Sequence, residues 1–261
     1  MIPANVYPAV VPFLTCGWPS SEGFLAAADG LAEAGCPYFE VGFPFSDPIA
    51  DGPTIQLTSS EALEAGVDLE TCFRLTGEAT KRTSLPAIAM TYANLVYFLG
   101  VEKFCERLKA CGGEGLIVPD LSFEESGPVK MACEKYGLDL VSFLAPTTAR
   151  LRREQISKAA RGFLYLVATR GVTGGESSMS TELRELIKDA KEHAECPVLV
   201  GFGVKSPEQV ANIVESGADG VIVGSALLEK VRCSSRDAPT IRRTVSEFLS
   251  PLVRVTEKVS S

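Results

Sequence analysis

The amino-acid sequence predicts an α/β protein with the architecture of a single (β/α)8 TIM barrel of parallel strands over residues 1–261. Short apolar segments alternate with longer amphipathic segments at even spacing. Eight such units in about 250 residues match the size of this barrel. No low-complexity linker divides the chain, so we expect one domain. A doubly wound sheet is the alternative, but no G-x-G-x-x-G turn follows the first apolar segment.

The predicted strands are short runs rich in Val, Ile, Leu and Phe, which are typical of parallel strands covered on both faces. They span residues 9–15, 38–42, 87–92, 115–119, 139–145, 162–168, 197–202 and 220–224. A helical pattern follows each strand, and the first opens with serines and closes at Gly35, a typical pair of helix caps. Functional groups of such a barrel lie where strands end and helices begin.

The charge and cysteine content exclude several classes of function. A net charge of −8 argues against nucleic acid or an anionic membrane as the main partner. No apolar run reaches the length of a membrane span, and the first residues show no secretory signal, so we expect a cytoplasmic protein. The eight cysteines form no C-x-x-C pair and are interpreted as reduced thiols. His193 is the single histidine and lies in a charged helical stretch, so no metal site is expected.

Acidic residues cluster at the end of the second predicted strand and in the loop after it. Strand side chains alternate, so Glu40 points into the barrel if Phe39 and Val41 face the helices. A carboxylate in that position is costly unless it is paired or functional. Asp51 follows in a proline-stiffened loop and is expected to face the same cavity, whereas Asp47 precedes Pro48 and is interpreted as a loop-shaping residue.

Three glycine-rich turns follow the last three predicted strands. Gly203 follows the seventh strand, and Gly224 and Ser225 follow the eighth, where a helix begins. Free backbone N–H groups at such a helix start favour an anion, and these loops form the usual phosphate site of barrels. The turn at 170–178 could close over the same phosphate with Thr173 and Gly174. Tight turns without a ligand are the alternative explanation.

The remaining chemistry is proton transfer by carboxylates on a small phosphorylated molecule. The sixth strand carries no lysine for a Schiff base, and the chain lacks the clustered ligands of a metal aldolase. Tyr165 in the sixth strand or Tyr92 at the end of the third could assist the carboxylates. Composition and spacing do not define the reaction further.

At these residues the sequence resembles the tryptophan synthase alpha subunit family. The segment "FEVGFPFSDPIADGPTIQ" is similar to the family's signature, and "MTYANLVY", "GLIVPDL", "GVTG", "GFGV" and "VGSAL" follow in the family's order. The resemblance covers residues 8–232, which would form the barrel core, with 233–261 as a C-terminal helical extension. It implies a retro-aldol cleavage of indole-3-glycerol phosphate to indole and glyceraldehyde 3-phosphate, without metal or Schiff base.

The resemblance also implies the roles of individual residues. Glu40 would be the general acid and base, Asp51 would bind the indole N–H, and Tyr165 would support Glu40. The expected phosphate-binding residues are Gly174, Gly203, Gly224 and Ser225. The expected indole pocket consists of Phe13, Met90 and Tyr92.

A partner subunit is implied as well. The family works with a beta subunit that carries pyridoxal phosphate and takes up indole, in an αββα assembly, so no cofactor is expected in this chain. Loops 43–59 and 170–180 would form the lid and interface, with Asp47, Pro48 and Thr173 among their residues.

The sequence departs from the family pattern in three places. The chain begins almost at the first strand, so the N-terminal helix below the barrel is expected to be shortened or missing. Arg170 lies one position later than in many relatives, and the tail after Val231 is longer than expected. There are two competing hypotheses. The first is a non-catalytic regulatory partner, and the presence of both Glu40 and Asp51 argues against it. The second is an isomerase or synthase for another phosphorylated metabolite, and the acidic loop motif argues against it.

Overall fold

The computed structural model describes residues 8–167, 179–201 and 203–259. Within these ranges the chain alternates parallel strands with helices. The strands are β1 (Ala9–Thr15), β2 (Phe39–Gly42), β3 (Ala87–Met90), β4 (Gly113–Ile117), β5 (Asp139–Leu140), β6 (Ser142–Leu144), β7 (Leu164–Val167), β8 (Val198–Gly201) and β9 (Gly220–Val223). Strand order β5-β4-β3-β2-β1-β9-β8-β7-β6 forms one sheet, and every pairing in it is parallel.

The fifth predicted strand is divided into two short segments. β5 pairs with β4, whereas β6 pairs with β7, and Val141 lies between the two segments. The two ends of the sheet therefore belong to one continuous stretch of chain. This makes the sheet a nearly closed barrel, as the sequence predicts, with eight strand positions of which one is split.

Helices surround the barrel. They are α1 (Ser21–Glu33), α2 (Pro53–Glu64), α3 (Leu69–Thr83), α4 (Ala93–Leu99), α5 (Val101–Ala110), α6 (Gly127–Tyr136), α7 (Arg150–Ala159), α8 (Thr181–His193), α9 (Pro207–Glu215), α10 (Ser225–Arg232) and α11 (Ala238–Val259). Ser20 caps α1 by accepting a hydrogen bond from the Gly23 N–H at 3.0 Å. None of the helices in the described ranges is long and apolar enough to cross a membrane.

Two helices were not predicted from the sequence. The stretch 43–59 was predicted to be a loop, but α2 begins at Pro53 and so takes the second half of it. Proline suits the first helical position because a backbone N–H at that position would have no partner within the helix, so its absence costs nothing. The second helix that was not predicted is α4, a short helix soon after β3. Its first N–H group, from Ala93, donates a hydrogen bond to Asp120 Oδ1 at 2.9 Å.

Apolar side chains form two separate layers. The barrel interior is filled by residues from every strand position: Ala9, Val11, Tyr38, Ile88, Ile117, Val141, Phe163, Leu199 and Ile222. The second layer lies between the strands and the helices and includes Phe39 and Val41. The alternation of β2 side chains therefore follows the expected pattern.

The segment 233–261 was predicted as a helical extension beyond a core at 8–232. α11 is present in that segment, but it packs tightly against α1 and α9 and closes the ring of helices. Its side chains Ile241, Val245 and Leu249 are fully buried in the outer core. The C-terminal extension is therefore part of the barrel's helical layer. The N-terminal helix below the barrel was expected to be shortened or missing. That expectation concerns residues before position 8, which lie outside the described residues.

Candidate active site

Glu40 lies inside the barrel near the carboxyl end of β2. It is flanked in the sheet by Phe13 on β1 and Ile88 on β3. Its side chain is 1% exposed, and its Oε1 atom has no hydrogen-bond partner among the described residues. A buried carboxylate with an oxygen atom that lacks a partner is unfavourable as an anion. Burial, followed by the nearby charge of Asp51, therefore raises the pKa of Glu40 to about 8.

Asp51 reaches the same cavity from the loop between β2 and α2. The loop is tightened by a hydrogen bond from the Asp51 N–H to the Pro48 carbonyl at 3.0 Å. The Tyr92 hydroxyl donates to Asp51 Oδ2 at 2.9 Å and accepts from the Ala50 N–H at 3.1 Å. Burial raises the pKa of Asp51 to about 6, and the Tyr92 hydrogen bond opposes this increase. Asp51 thus remains a stronger acid than Glu40.

Tyr165 completes the group on the opposite side of the barrel. Its ring fills the space beside Gly201 on β8, where a Cβ atom would lie 2.3 Å from the ring. Burial, followed by the charges of Glu40 and Asp51, raises its pKa well above the usual range. No hydrogen bond joins Tyr165 and Glu40 in the described ranges, so the expected support of Glu40 is not a direct contact in this structure.

Two of the three residues predicted for an aromatic pocket lie beside Glu40. Phe13 is buried, and its ring lies against Gly42, where a Cβ atom would be 2.2 Å from it. Met90 is half-buried and packs against both apolar layers. The third residue, Tyr92, is occupied by the hydrogen bond to Asp51, and Phe45 stacks on its ring at 5.1 Å between centroids. These side chains provide a flat apolar wall next to two carboxyl groups.

The predicted phosphate residues lie at the carboxyl ends of β8 and β9. Gly203 has φ +63, a left-handed conformation that glycine adopts without strain, and a Cβ atom there would meet nothing within 4 Å. Gly224 caps α10, and Ser225 is the first residue of that helix. The first N–H groups of a helix have no partner within it and attract anions. Thr173, Gly174 and Arg170 lie outside the described residues.

The predicted lid and interface residues lie on the exposed side of this face. Asp47 is exposed and accepts a hydrogen bond from the Ser46 hydroxyl at 2.5 Å, and Pro48 is half-buried. Two large apolar side chains from the segments after β2 and β3 are exposed: Ile49 in the loop is 82% exposed, and Phe98 on α4 is 81% exposed. Contiguous exposed apolar surface is a feature of protein interfaces.

His193 is part of a different group of side chains. It lies at the end of α8 with Asp189 and Glu192, and the three offer ligand atoms close enough for a cation. The end of a barrel helix lies opposite the carboxyl ends of the strands. This cluster is therefore separate from the site around Glu40.

The chain matches the family model described as "Tryptophan synthase alpha chain" over residues 3–256. The chain belongs to this family. It is 44% identical to the tryptophan synthase alpha chain of Geobacillus kaustophilus (strain HTA426), over 88% of this chain and 86% of that one. It is 41% identical to that of Methanothermobacter thermautotrophicus, over 94% of this chain and 90% of the relative.

Solved structures of the tryptophan synthase family share the fold. A chain from the tryptophan synthase α2β2 complex of Pyrococcus furiosus superposes with a TM-score of 0.88 at 33% identity, covering 95% of this chain and 98% of that chain. A chain from the Mycobacterium tuberculosis tryptophan synthase in its aminoacrylate-bound and BRD0059-bound form gives a TM-score of 0.83 at 35% identity, covering 96% and 94%.

The sequence did not reveal three features of the site. The bond between Tyr92 and Asp51 joins residues 41 positions apart, and the contacts of Gly42 with Phe13 and of Gly201 with Tyr165 also cross between strands. The available signal was a glycine at the carboxyl end of a predicted strand, where a β-branched residue is usual. Such a glycine often marks a place where another group approaches the backbone closely.

Proposed function

We propose that this chain is the alpha subunit of a tryptophan synthase and cleaves indole-3-glycerol phosphate to indole and glyceraldehyde 3-phosphate. The observation that carries the proposal is the buried carboxyl group of Glu40, whose Oε1 has no hydrogen-bond partner among the described residues. Its pKa of about 8 lies above that of neighbouring Asp51 at about 6. Two carboxyl groups with separated pKa values can take the acid and base roles of one reaction. A chain with only a regulatory role gains nothing from a carboxyl group in this position.

The two groups act at different atoms of the substrate. At neutral pH Glu40 holds a proton, which it donates to C3 of the indole ring, and the ring nitrogen then carries the positive charge. Asp51 is ionised at that pH and accepts the hydrogen bond of the ring N–H, which stabilises this charge. The carboxylate of Glu40 next removes the proton of the substrate hydroxyl. An aldehyde forms, the carbon–carbon bond breaks, and its electrons restore the indole.

This sequence of steps is balanced without a metal or a cofactor in the chain. The protonated ring accepts the electrons of the breaking bond, and Glu40 ends the cycle with the proton it had at the start. The interior aromatic side chains exclude water around the ring, which strengthens the interaction of Asp51 with the developing charge. We assign pyridoxal phosphate to the partner subunit. The free thiols of the described residues are compatible with a cytoplasmic enzyme.

The substrate phosphate is assigned to the carboxyl ends of β8 and β9. Gly203, Gly224 and Ser225 present backbone there, and the start of α10 directs N–H groups to the same place. Gly174 and Thr173, which come between β7 and β8 in the sequence, are proposed to complete this site. A neutral backbone site of this kind suits a chain of net charge −8, because it holds an anion without clustered lysines.

The exposed apolar side chains beside the site are proposed to meet the beta subunit. Ile49 follows Asp47 and Pro48 in the loop after β2, and Phe98 lies on α4 after β3. Covering them would also close the loop that carries Asp51, because that loop contains Ile49. Partner binding and the position of a catalytic carboxylate are thereby linked, and we assign the chain to an α2β2 assembly.

The decisive experiment measures indole release from indole-3-glycerol phosphate by the full chain, alone and with a tryptophan synthase beta subunit. We expect slow release alone and faster release with the partner. Glu40→Gln should reduce turnover by at least about 100-fold, the usual range for loss of a general acid or base. Substrate binding should remain within a few-fold, because Gln has nearly the same shape. Near-normal turnover by this variant would refute the mechanism, and no turnover by the wild type would refute the function.

A further inference from the structure

The barrel wall has an opening between the upper ends of its fourth and fifth strand positions. Pairing of β4 with the fifth strand ends where the Val141 N–H donates to the Leu116 carbonyl at 3.0 Å. Above that point β6 pairs with β7. The Val118 carbonyl accepts instead from the Leu121 N–H at 3.2 Å, and Pro119 has no N–H to donate. The ladder cannot continue, so the two strands separate.

This opening leads to a cavity of about 440 Å³. Its volume lies in the range of cavities that hold small organic molecules. The wall contains outward-facing Ser142 and inward-facing Phe143, so the cavity passes from the helical layer towards the barrel interior. Phe123 and Ile156 supply further apolar surface. The cavity lies at the carboxyl ends of the strands, the face on which barrels bind ligands.

The cavity combines aromatic surface with a cationic side chain. Arg152 on α7 is half-exposed and forms part of the wall. Its guanidinium donates to Glu124 Oε2 at 2.6 Å. Both side chains of this ion pair are about half exposed, so the pair contributes little stability. Ser142 also lines the cavity, and its hydroxyl is a potential hydrogen-bond donor. A ligand carboxylate can therefore replace Glu124 on Arg152, with Ser142 available as a donor.

The inner end of the cavity touches the site described above. The Phe143 ring lies 5.0 Å from the Tyr165 ring, measured between centroids, and the two residues are opposite each other in the sheet. Tyr165 in turn lies within electrostatic range of Glu40 and Asp51. A ring inserted against Phe143 would press on Tyr165, because Tyr165 already fills the space beside Gly201.

We propose that this cavity binds an arylalkyl carboxylate, a flat apolar ring that carries one carboxylate on a short arm. The ring packs against Phe123 and Phe143, and the carboxylate forms a paired hydrogen bond with Arg152 in place of Glu124. Occupancy acts on the active site through Phe143 and Tyr165. Binding of the carboxylate to the cavity does not depend on the proposed reaction, whereas its effect on the active site rests on the proposed function.

Binding is tested with 4-fluorophenylacetate on the full chain, followed by fluorine NMR and calorimetry. Arg152→Ala should weaken binding at least about tenfold, as expected for a charge-assisted hydrogen bond. Arg150→Ala is the matched control, since Arg150 is exposed on the same helix and lies outside the cavity wall. The neutral 4-fluorophenylacetamide should bind the wild type at least about tenfold more weakly than the acid. Equal binding of the acid by wild type and Arg152→Ala would overturn the proposal.

A second variant tests the position of the ring. Ser142→Leu places a larger side chain in the half-buried wall of the cavity and should abolish binding. Retained affinity in this variant, with a thermal melt like that of the wild type, would also overturn the site.

Coupling is tested by adding saturating acid during turnover. Indole release should change at least about twofold in the wild type and stay unchanged in Arg152→Ala. An unchanged wild-type rate with intact binding would overturn the coupling. A chain that binds the acid but never releases indole would refute the proposed function alone.

Discussion

Replacing Glu40 with Gln is expected to stabilise the protein at neutral and alkaline pH while it removes the proposed acid. The pKa of Glu40 is about 8 in the folded chain, against an ordinary value of 4.5. Between these two values the unfolded chain releases the proton and the folded chain keeps it. The folded state therefore loses stability as pH rises through this window, at about 1.4 kcal/mol per pH unit. Gln is neutral in both states and does not carry this cost.

The size of the effect follows from the two pKa values. From about pH 5 to about pH 8 the free energy of unfolding of the wild type should fall by about 3 kcal/mol relative to that of Glu40→Gln. Urea unfolding of both proteins at the two pH values measures this difference, and the titration of Asp51 contributes similarly to both. Glu185→Gln, a change at an exposed carboxylate on α8, is the control and should show no such divergence. A relative change below about 1 kcal/mol would mean that burial does not raise the pKa of Glu40, and the assignment of its proton at neutral pH would fail.

Three further changes test the surroundings of Glu40. Tyr92→Phe removes the hydrogen bond that lowers the pKa of Asp51, so the acidic limb of kcat/KM should move to higher pH; an unchanged profile would contradict this. Gly42→Ala places a Cβ atom 2.2 Å from the Phe13 ring and should cost at least about 2 kcal/mol in urea unfolding, with partial recovery on adding Phe13→Leu. If the double variant is no more stable, the contact is not the cause. Ser225→Asp should raise KM for the phosphorylated substrate at least about tenfold through charge repulsion, with a smaller effect on kcat. Equal KM values would place the phosphate elsewhere.

The fold and the position of Glu40 were predictable because they depend on local patterns. Parallel strands covered on both faces produce apolar runs that can be recognised one at a time. Within β2 the alternation of side chains leaves two possible faces, and Phe39 and Val41 occupy the outer one. Glu40 must then lie inside, whatever the neighbouring strands contain.

The contacts of Glu40 and Asp51 were not predictable because they depend on the register between strands. Tyr92 was expected to line the indole pocket or to assist the carboxylates, but its specific partner, Asp51, lies 41 residues away in the sequence and could not be assigned. The division of the fifth strand at Val141 has the same kind of origin, since the turn after Val118 takes the carbonyl that the ladder would need. α2 was missed for a local reason: three prolines in the stretch 44–53 suggested a continuous loop, although the last of them begins the helix.

Barrel stability and the acidity of Glu40 have a common physical origin. The apolar interior layer, which includes Tyr38 and Ile88, stabilises the fold and also removes water from the carboxyl group beside it. Polar neighbours would lower the free-energy cost of burying Glu40, but they would also lower its pKa. The carboxyl group would then be ionised when the substrate arrives. Asp51 approaches from a loop and receives one hydrogen bond from Tyr92, so it stays ionised a short distance away. The arrangement therefore places one carboxyl group in the sheet and the other on a loop, since only the first must be dry before the substrate binds.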